Sequence, residues 1–153
     1  MLALGSAGFL FYRKRQEREA ARLREAAEQQ PIEDRYLADL KEAVDLKSQD
    51  VVGSFAALSK LCRHYLVEKY GFPALEITTS EIAEQLQRQA VSTALVEHVR
   101  EILNQSDVAK FSGGQVEPGI LERVYTLMEE ILNRNKSEQV SISVEQNGGA
   151  QNS

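Results

Sequence analysis

The chain has 153 residues, 42% hydrophobic and 27% charged, which suits one modest domain with appendages rather than two full domains. Its net charge of -5 is unevenly spread: residues 13–30 hold six basic and four acidic side chains, and residues 76–153 hold six basic and twelve acidic ones. Nucleic-acid binding needs a basic face on the folded part, so the acidic distal half disfavours it. The one cysteine, Cys62, excludes an internal disulfide framework and fits a reducing compartment.

The chain opens with MLALGSAGFLFY, residues 1–12, uncharged and almost wholly apolar, followed at once by Arg13, Lys14 and Arg15. That order matches the inner end of a membrane helix meeting a basic cytoplasmic boundary. A full span needs about 20 apolar residues, so 1–12 reads as a partial transmembrane helix and the chain as the C-terminal part of a longer membrane protein. Two other readings stand beside it. A signal peptide would carry its basic cluster before the apolar stretch, not after it. An apolar helix buried against the domain or a partner is the third. Residues 13–31 then form the basic boundary and a charged stalk helix, polar almost all round. Arg13, Lys14 and Arg15 are also placed to meet lipid headgroups.

Pro31 breaks the stalk. Ile32, Tyr36, Leu37, Leu40 and Val44 recur at helical spacing and predict a short helix to about Lys47. A stronger helix is predicted from about Asp50 to Tyr70, with Val51, Phe55, Leu58, Cys62, Tyr65, Leu66 and Lys69 on one face. Gly71 suits the position just past its end, and Pro73 prevents continuation. Leu75–Ile77 is expected to be extended. Thr78 and Glu81 have the spacing of a capping box before a helix with Ile82, Ala83 and Leu86 inside. Ser92 is expected to cap a helix lined by Leu95, Val96, Val99, Ile102 and Leu103, with 106–111 adding one further turn. Pro118 suits the first position of a last helix. Residues 135–153 are polar and lack helical periodicity, which predicts a disordered tail; Val140, Ile142 and Val144 alternate as a short strand would. The expected fold is therefore all-α: four to five helices across 32–134.

Candidate chemistry is sparse. Cys62, His64 and His98 match no common zinc spacing and lack a fourth ligand. Cys62 and His64, two apart on a helix, point in different directions and make no nucleophile–base pair. Gly113 and Gly114 are followed by no Lys-Ser/Thr of a phosphate loop. No catalytic, cofactor-binding or metal-binding residues are assigned, no small-molecule substrate is evident, and no enzyme activity is expected. Residues 80–103 resemble the helix-turn-helix of LuxR-type regulators, which keeps a DNA-binding regulator as the alternative function. Its would-be recognition helix, 92–103, sets Glu97 and Glu101 against Arg100 alone, unsuited to phosphates.

A second resemblance covers residues 1–134. Leu58-Ser59-Lys60-Leu61-Cys62-Arg63-His64-Tyr65-Leu66 with the exit Gly71-Phe72-Pro73-Ala74, then Leu75 to Ile82, then Ile102-Leu103-Asn104-Gln105-Ser106-Asp107-Val108-Ala109-Lys110-Phe111, resemble the cytosolic C-terminal region of BatD-type and related bacterial membrane proteins. The order of membrane-helix end, basic boundary, charged stalk and helical domain is similar too. The resemblance implies an inner-membrane protein with its helical domain in the cytoplasm. It implies an adaptor or scaffold facing protein partners such as MoxR-type AAA+ ATPases or von Willebrand factor A-domain proteins in the envelope. The expected docking zone is Asp107, Lys110 and Phe111, beside Gly113 and Gly114. An alternative stays open, with Asp107 capping a final turn and Phe111 packing into the core.

Overall fold

The computed structural model describes residues 3–28 and 30–148. All its elements are helices: α1 (Ala3–Glu28), α2 (Ile32–Ala43), α3 (Val51–Tyr70), α4 (Thr79–Arg88), α5 (Thr93–Phe111) and α6 (Ile120–Gly148). The chain divides after Pro31 into two units, the first holding α1 and the second α2 to α6.

In the second unit the helix boundaries follow local chemistry. Asp50 accepts a hydrogen bond from the Gly53 N–H and starts α3, and Gly71, at φ 76°, ends it while its N–H donates to the Val67 carbonyl. Thr78 and Glu81 form the reciprocal capping box of α4, and Ser92 accepts from the Leu95 N–H to open α5. The Gly71, Thr78–Glu81 and Ser92 caps agree with the sequence reading, which starts α3 near Asp50 without assigning it a cap. Between α4 and α5 the chain reverses through Ala90, a non-glycine residue at φ 55°.

Helix α5 is the hub. It packs against α3, α4 and α6, while α2 lies across α3 and α6. Its Leu95, Val96, Val99, Ile102 and Leu103 are buried, as are Phe55, Leu58, Cys62 and Leu66 of α3 and Val124, Met128, Ile131 and Leu132 of α6. The apolar stripes read from the sequence are thus the core-facing stripes, and their burial is the main stabilising term.

Four local expectations differ from the structure. Helix α2 ends at Ala43, short of Lys47. Residues 74–76 form a turn, not an extended run, closed by the Glu76 N–H donating to the Pro73 carbonyl and by Arg63 Nη1 donating to the Ala74 and Ile77 carbonyls, both at 2.7 Å. Pro118 lies in a turn two residues ahead of α6 rather than in its first position. Helix α6 continues to Gly148, where composition predicts a disordered tail or a short strand; residues 149–153 lie outside the described residues. The reason is cooperative. The buried part of α6 supplies the nucleus, and extending an existing helix is far easier than starting one. Ser137, Ser141 and Ser143 each donate to the carbonyl four residues back, and Arg134 pairs with Glu138.

In the first unit α1 is one unbroken helix through both the apolar segment and the charged residues that follow it. Met1 and Leu2, the first residues of the expected partial span, lie outside the described residues. Among the described residues no helix is long and apolar enough to cross a membrane.

Candidate functional site

The last turn of α5 carries the residues singled out for docking. Asp107, Val108, Lys110 and Phe111 all face solvent, with Phe111 83% and Val108 49% exposed. Val108 and Phe111 are three residues apart and share a face, forming a small apolar patch. Lys110 Nζ lies 5.9 Å from the centre of the Phe111 ring. The open alternative for Phe111 is therefore decided: it does not pack into the core. Asp107 makes no hydrogen bond or ion pair among the described residues, so it caps nothing there.

The turn beneath the patch is held by backbone. The Ser112 N–H donates to the Val108 carbonyl at 2.9 Å and the Gly114 N–H to the Ala109 carbonyl at 2.8 Å. Gly113 and Gly114 adopt φ 67° and 89°, conformations costly for any side chain. A Cβ at Gly114 would also press on Val52 of α3 at 3.3 Å, so the turn is seated on the bundle. The aromatic ring thus stands at a helix end whose following turn is held by backbone hydrogen bonds.

At the opposite end of α5 lies a buried polar cluster that the sequence reading missed. Glu33, in the first turn of α2, is fully buried. Its Oε1 accepts from the Tyr65 hydroxyl at 2.9 Å and lies 2.7 Å from Lys69 Nζ, while Oε2 accepts no hydrogen bond. Asn135 of α6 donates through Nδ2 to the Tyr65 and Tyr70 hydroxyls at 2.7 and 3.0 Å. The donors therefore run in one direction, from Asn135 to Tyr65 to Glu33. The neighbouring residues of α2 extend the clasp: Asp34 pairs with Lys136, and Arg35 and Tyr36 both reach Glu68. A signal for these residues was present. Glu33 falls on the stripe of Tyr36, Leu37 and Leu40, and Asn135 on that of Met128, Ile131 and Leu132.

This cluster shapes the titration of its members. The Arg35 guanidinium, and after it the Tyr36 hydroxyl, holds Glu68 below the usual carboxylate range. Burial first, then Glu68, pushes Tyr36 up to about 12, and burial raises Tyr65 and Tyr70 as well. Burial also pushes the Cys62 thiol up to about 12. A group that holds its proton more tightly when folded gives stability that is full below its ordinary pKa and is lost as pH rises toward the folded value. We therefore expect stability to fall above about pH 9, with Cys62 alone costing on the order of 1 kcal/mol at about pH 10. Urea melts across the alkaline range check this; Cys62→Ala should flatten the part due to the thiol, and an unchanged slope would refute the assignment.

Beside the cluster a cleft of about 470 Å³ opens between Tyr70, Val91, Leu95, Asn135 and Ile142. Three of its polar lining residues are already engaged: Lys69 with Glu33, Arg134 with Glu138, Asn135 with two tyrosines. The Lys69–Glu33 and Asn135–tyrosine contacts join α2, α3 and α6.

The remaining candidates do not converge. Cys62 is buried while His64, two residues on, is exposed, and His98 sits on α5 with Nδ1 3.9 Å from Glu130. Among the described residues no group of three or more His, Cys, Asp or Glu is placed to hold a metal ion. The helices of the DNA-binding alternative are α4 and α5, joined at 89–92. The would-be recognition helix, 92–103, lies in the hub α5, enclosed by three neighbours, and the charged residue it exposes is Glu97. That burial and that charge argue against insertion into a major groove. Arg13, Lys14 and Arg15, the expected membrane boundary, are exposed on α1, directly after exposed Phe9, Leu10, Phe11 and Tyr12.

No family model, no curated protein and no solved structure matches the chain.

Proposed function

We propose that this chain is a membrane-tethered, non-enzymatic adaptor whose helical unit binds a protein partner in the cytoplasm, beneath an inner membrane. The observation that carries the reading is the Val108–Phe111 patch, with an aromatic ring 83% exposed at a helix end followed by a backbone-bonded turn. Rigid exposed aromatics are preferred anchors at interfaces, because they bury much area at little cost in conformational freedom. Lys110 and Asp107 supply a polar rim of both signs. The resemblance to BatD-type proteins points to a MoxR-type AAA+ ATPase or a von Willebrand factor A-domain protein as the partner. The tether is assigned to the apolar start of α1 with its basic boundary.

The test is binding of the full chain to those two protein classes from the same genome, with Phe111→Ala as the probe. Loss of an anchor ring should weaken binding about 30-fold or more. The melting temperature should stay unchanged, because the ring contributes nothing to the core. Unaltered affinity in Phe111→Ala, or no binding by the parent chain, would remove the patch from the function.

A further inference from the structure

In α1 the polarity changes along the axis, not around it. Phe9, Leu10, Phe11 and Tyr12 are 65%, 63%, 79% and 63% exposed. Successive residues of a helix step about 100°, so these four cover the whole circumference. Arg13, Lys14 and Arg15 follow, also exposed, and form a second ring of the opposite character. Among the described residues, of these three only Arg13 has an acidic partner, Glu17 at 3.6 Å. A helix that lies in the plane of a membrane needs an apolar face and a polar face along its length. A helix that enters a membrane end-on needs an apolar band, an aromatic at the boundary and then cations, which is the order found here.

The spacing of the cations adds a chemical preference. At about 1.5 Å per residue, Arg13 to Arg15 lie within about 5 Å of Tyr12 along the axis. The headgroup layer on one side of a bilayer is of the order of 5–8 Å deep, so all three guanidinium and ammonium groups fall within it. Arg18 and Arg22 continue the face of Arg15 at spacings of three and four residues, with Glu19 between them, all three exposed. The two arginines extend the positive field about 10 Å further, within reach of a negatively charged surface through one screening length.

We propose that α1 inserts end-on into a bilayer and that Arg13, Lys14 and Arg15, supported by Arg18, select anionic phospholipid headgroups. This rests on the tether in the function proposed above and specifies what the tether recognises. Each basic residue near an anionic surface strengthens binding about fivefold, so the three together account for on the order of a hundredfold preference.

The test uses the full chain in flotation assays. One set of vesicles is phosphatidylcholine alone, and the other is phosphatidylcholine mixed with phosphatidylglycerol. The parent chain should bind the mixed vesicles more tightly, with the preference shrinking at high salt. The variant Arg13→Gln/Lys14→Gln/Arg15→Gln should lose most of that preference and keep its binding to neutral vesicles. The variant Phe9→Ser/Phe11→Ser should lose binding to both, while the helical unit melts at the parental temperature in every variant. Equal binding of the parent to both compositions overturns anionic selection and leaves the tether standing. A preference retained by the triple variant overturns the assignment to the ring. Binding to neither composition overturns the tether as well.

Discussion

Lys69→Met should destabilise the helical unit by about 3–5 kcal/mol, the largest loss expected from any single polar residue. Glu33 is fully buried, and Lys69 Nζ, 2.7 Å away, is the cation beside it. Removing that cation leaves a carboxylate in the interior with the Tyr65 hydroxyl as its remaining partner. One of its oxygens already accepts nothing, so the folded state has little further solvation to offer. The companion variant Glu33→Met/Lys69→Met removes both charges, and burying two thioethers in their place recovers apolar contact. It should therefore be more stable than Lys69→Met alone, although the Tyr65 hydroxyl then loses its acceptor at about 1 kcal/mol. Chemical denaturation of the parent, Glu33→Met, Lys69→Met and the double variant closes the cycle and gives the coupling. Additive losses would show that Glu33 and Lys69 do not act as a pair.

The same cluster explains what sequence could and could not reveal. The termini of α3, α4 and α5 were legible because their caps are local: Asp50 to Gly53, Thr78 to Glu81 and Ser92 to Leu95 each span three residues. The core stripes were legible because helical spacing alone places Leu58, Leu66, Val99 and Leu103 on inward faces. Glu33 was not, because a carboxylate in a first helical turn is ordinarily a solvated residue that favours the helix dipole. Its partners come from Tyr65 and Lys69, more than thirty residues away, and only tertiary packing brings them together. Lys69 did fall on the apolar face, and a cation there is a hint of a buried partner. The end of α6 was misjudged for a different reason. Val140, Ser141, Ile142, Ser143 and Val144 are poor helix formers taken alone, but they inherit a helix begun at Ile120. Phe111 was undecidable, since an aromatic at a helix end serves a core or a surface equally well in one dimension. The turn at Ser112–Gly114 settles its direction.

Leu103→Ala is the second variant with a large expected effect, about 2–5 kcal/mol. Leu103 is 1% exposed on the one helix that touches α3, α4 and α6 together. A cavity there loosens contacts to several neighbours at once, and such a site collapses poorly because each neighbour is held by another. A fall in the melting temperature of roughly 10 °C or more corresponds to this range for a unit of this size. Val108→Ala, five residues on in the same helix, is the control: its side chain is half in solvent, so the loss should stay below about 1 kcal/mol. The pair also separates the hub from the patch. Measured well below its melting temperature, Leu103→Ala should bind a protein partner as the parent does, because the turn at Ser112–Gly114 still fixes Phe111. Phe111→Ala should show the reverse, full stability with weakened binding. If Leu103→Ala weakened binding as much as Phe111→Ala while still folded, the partner would read the packing of α5 rather than the exposed ring.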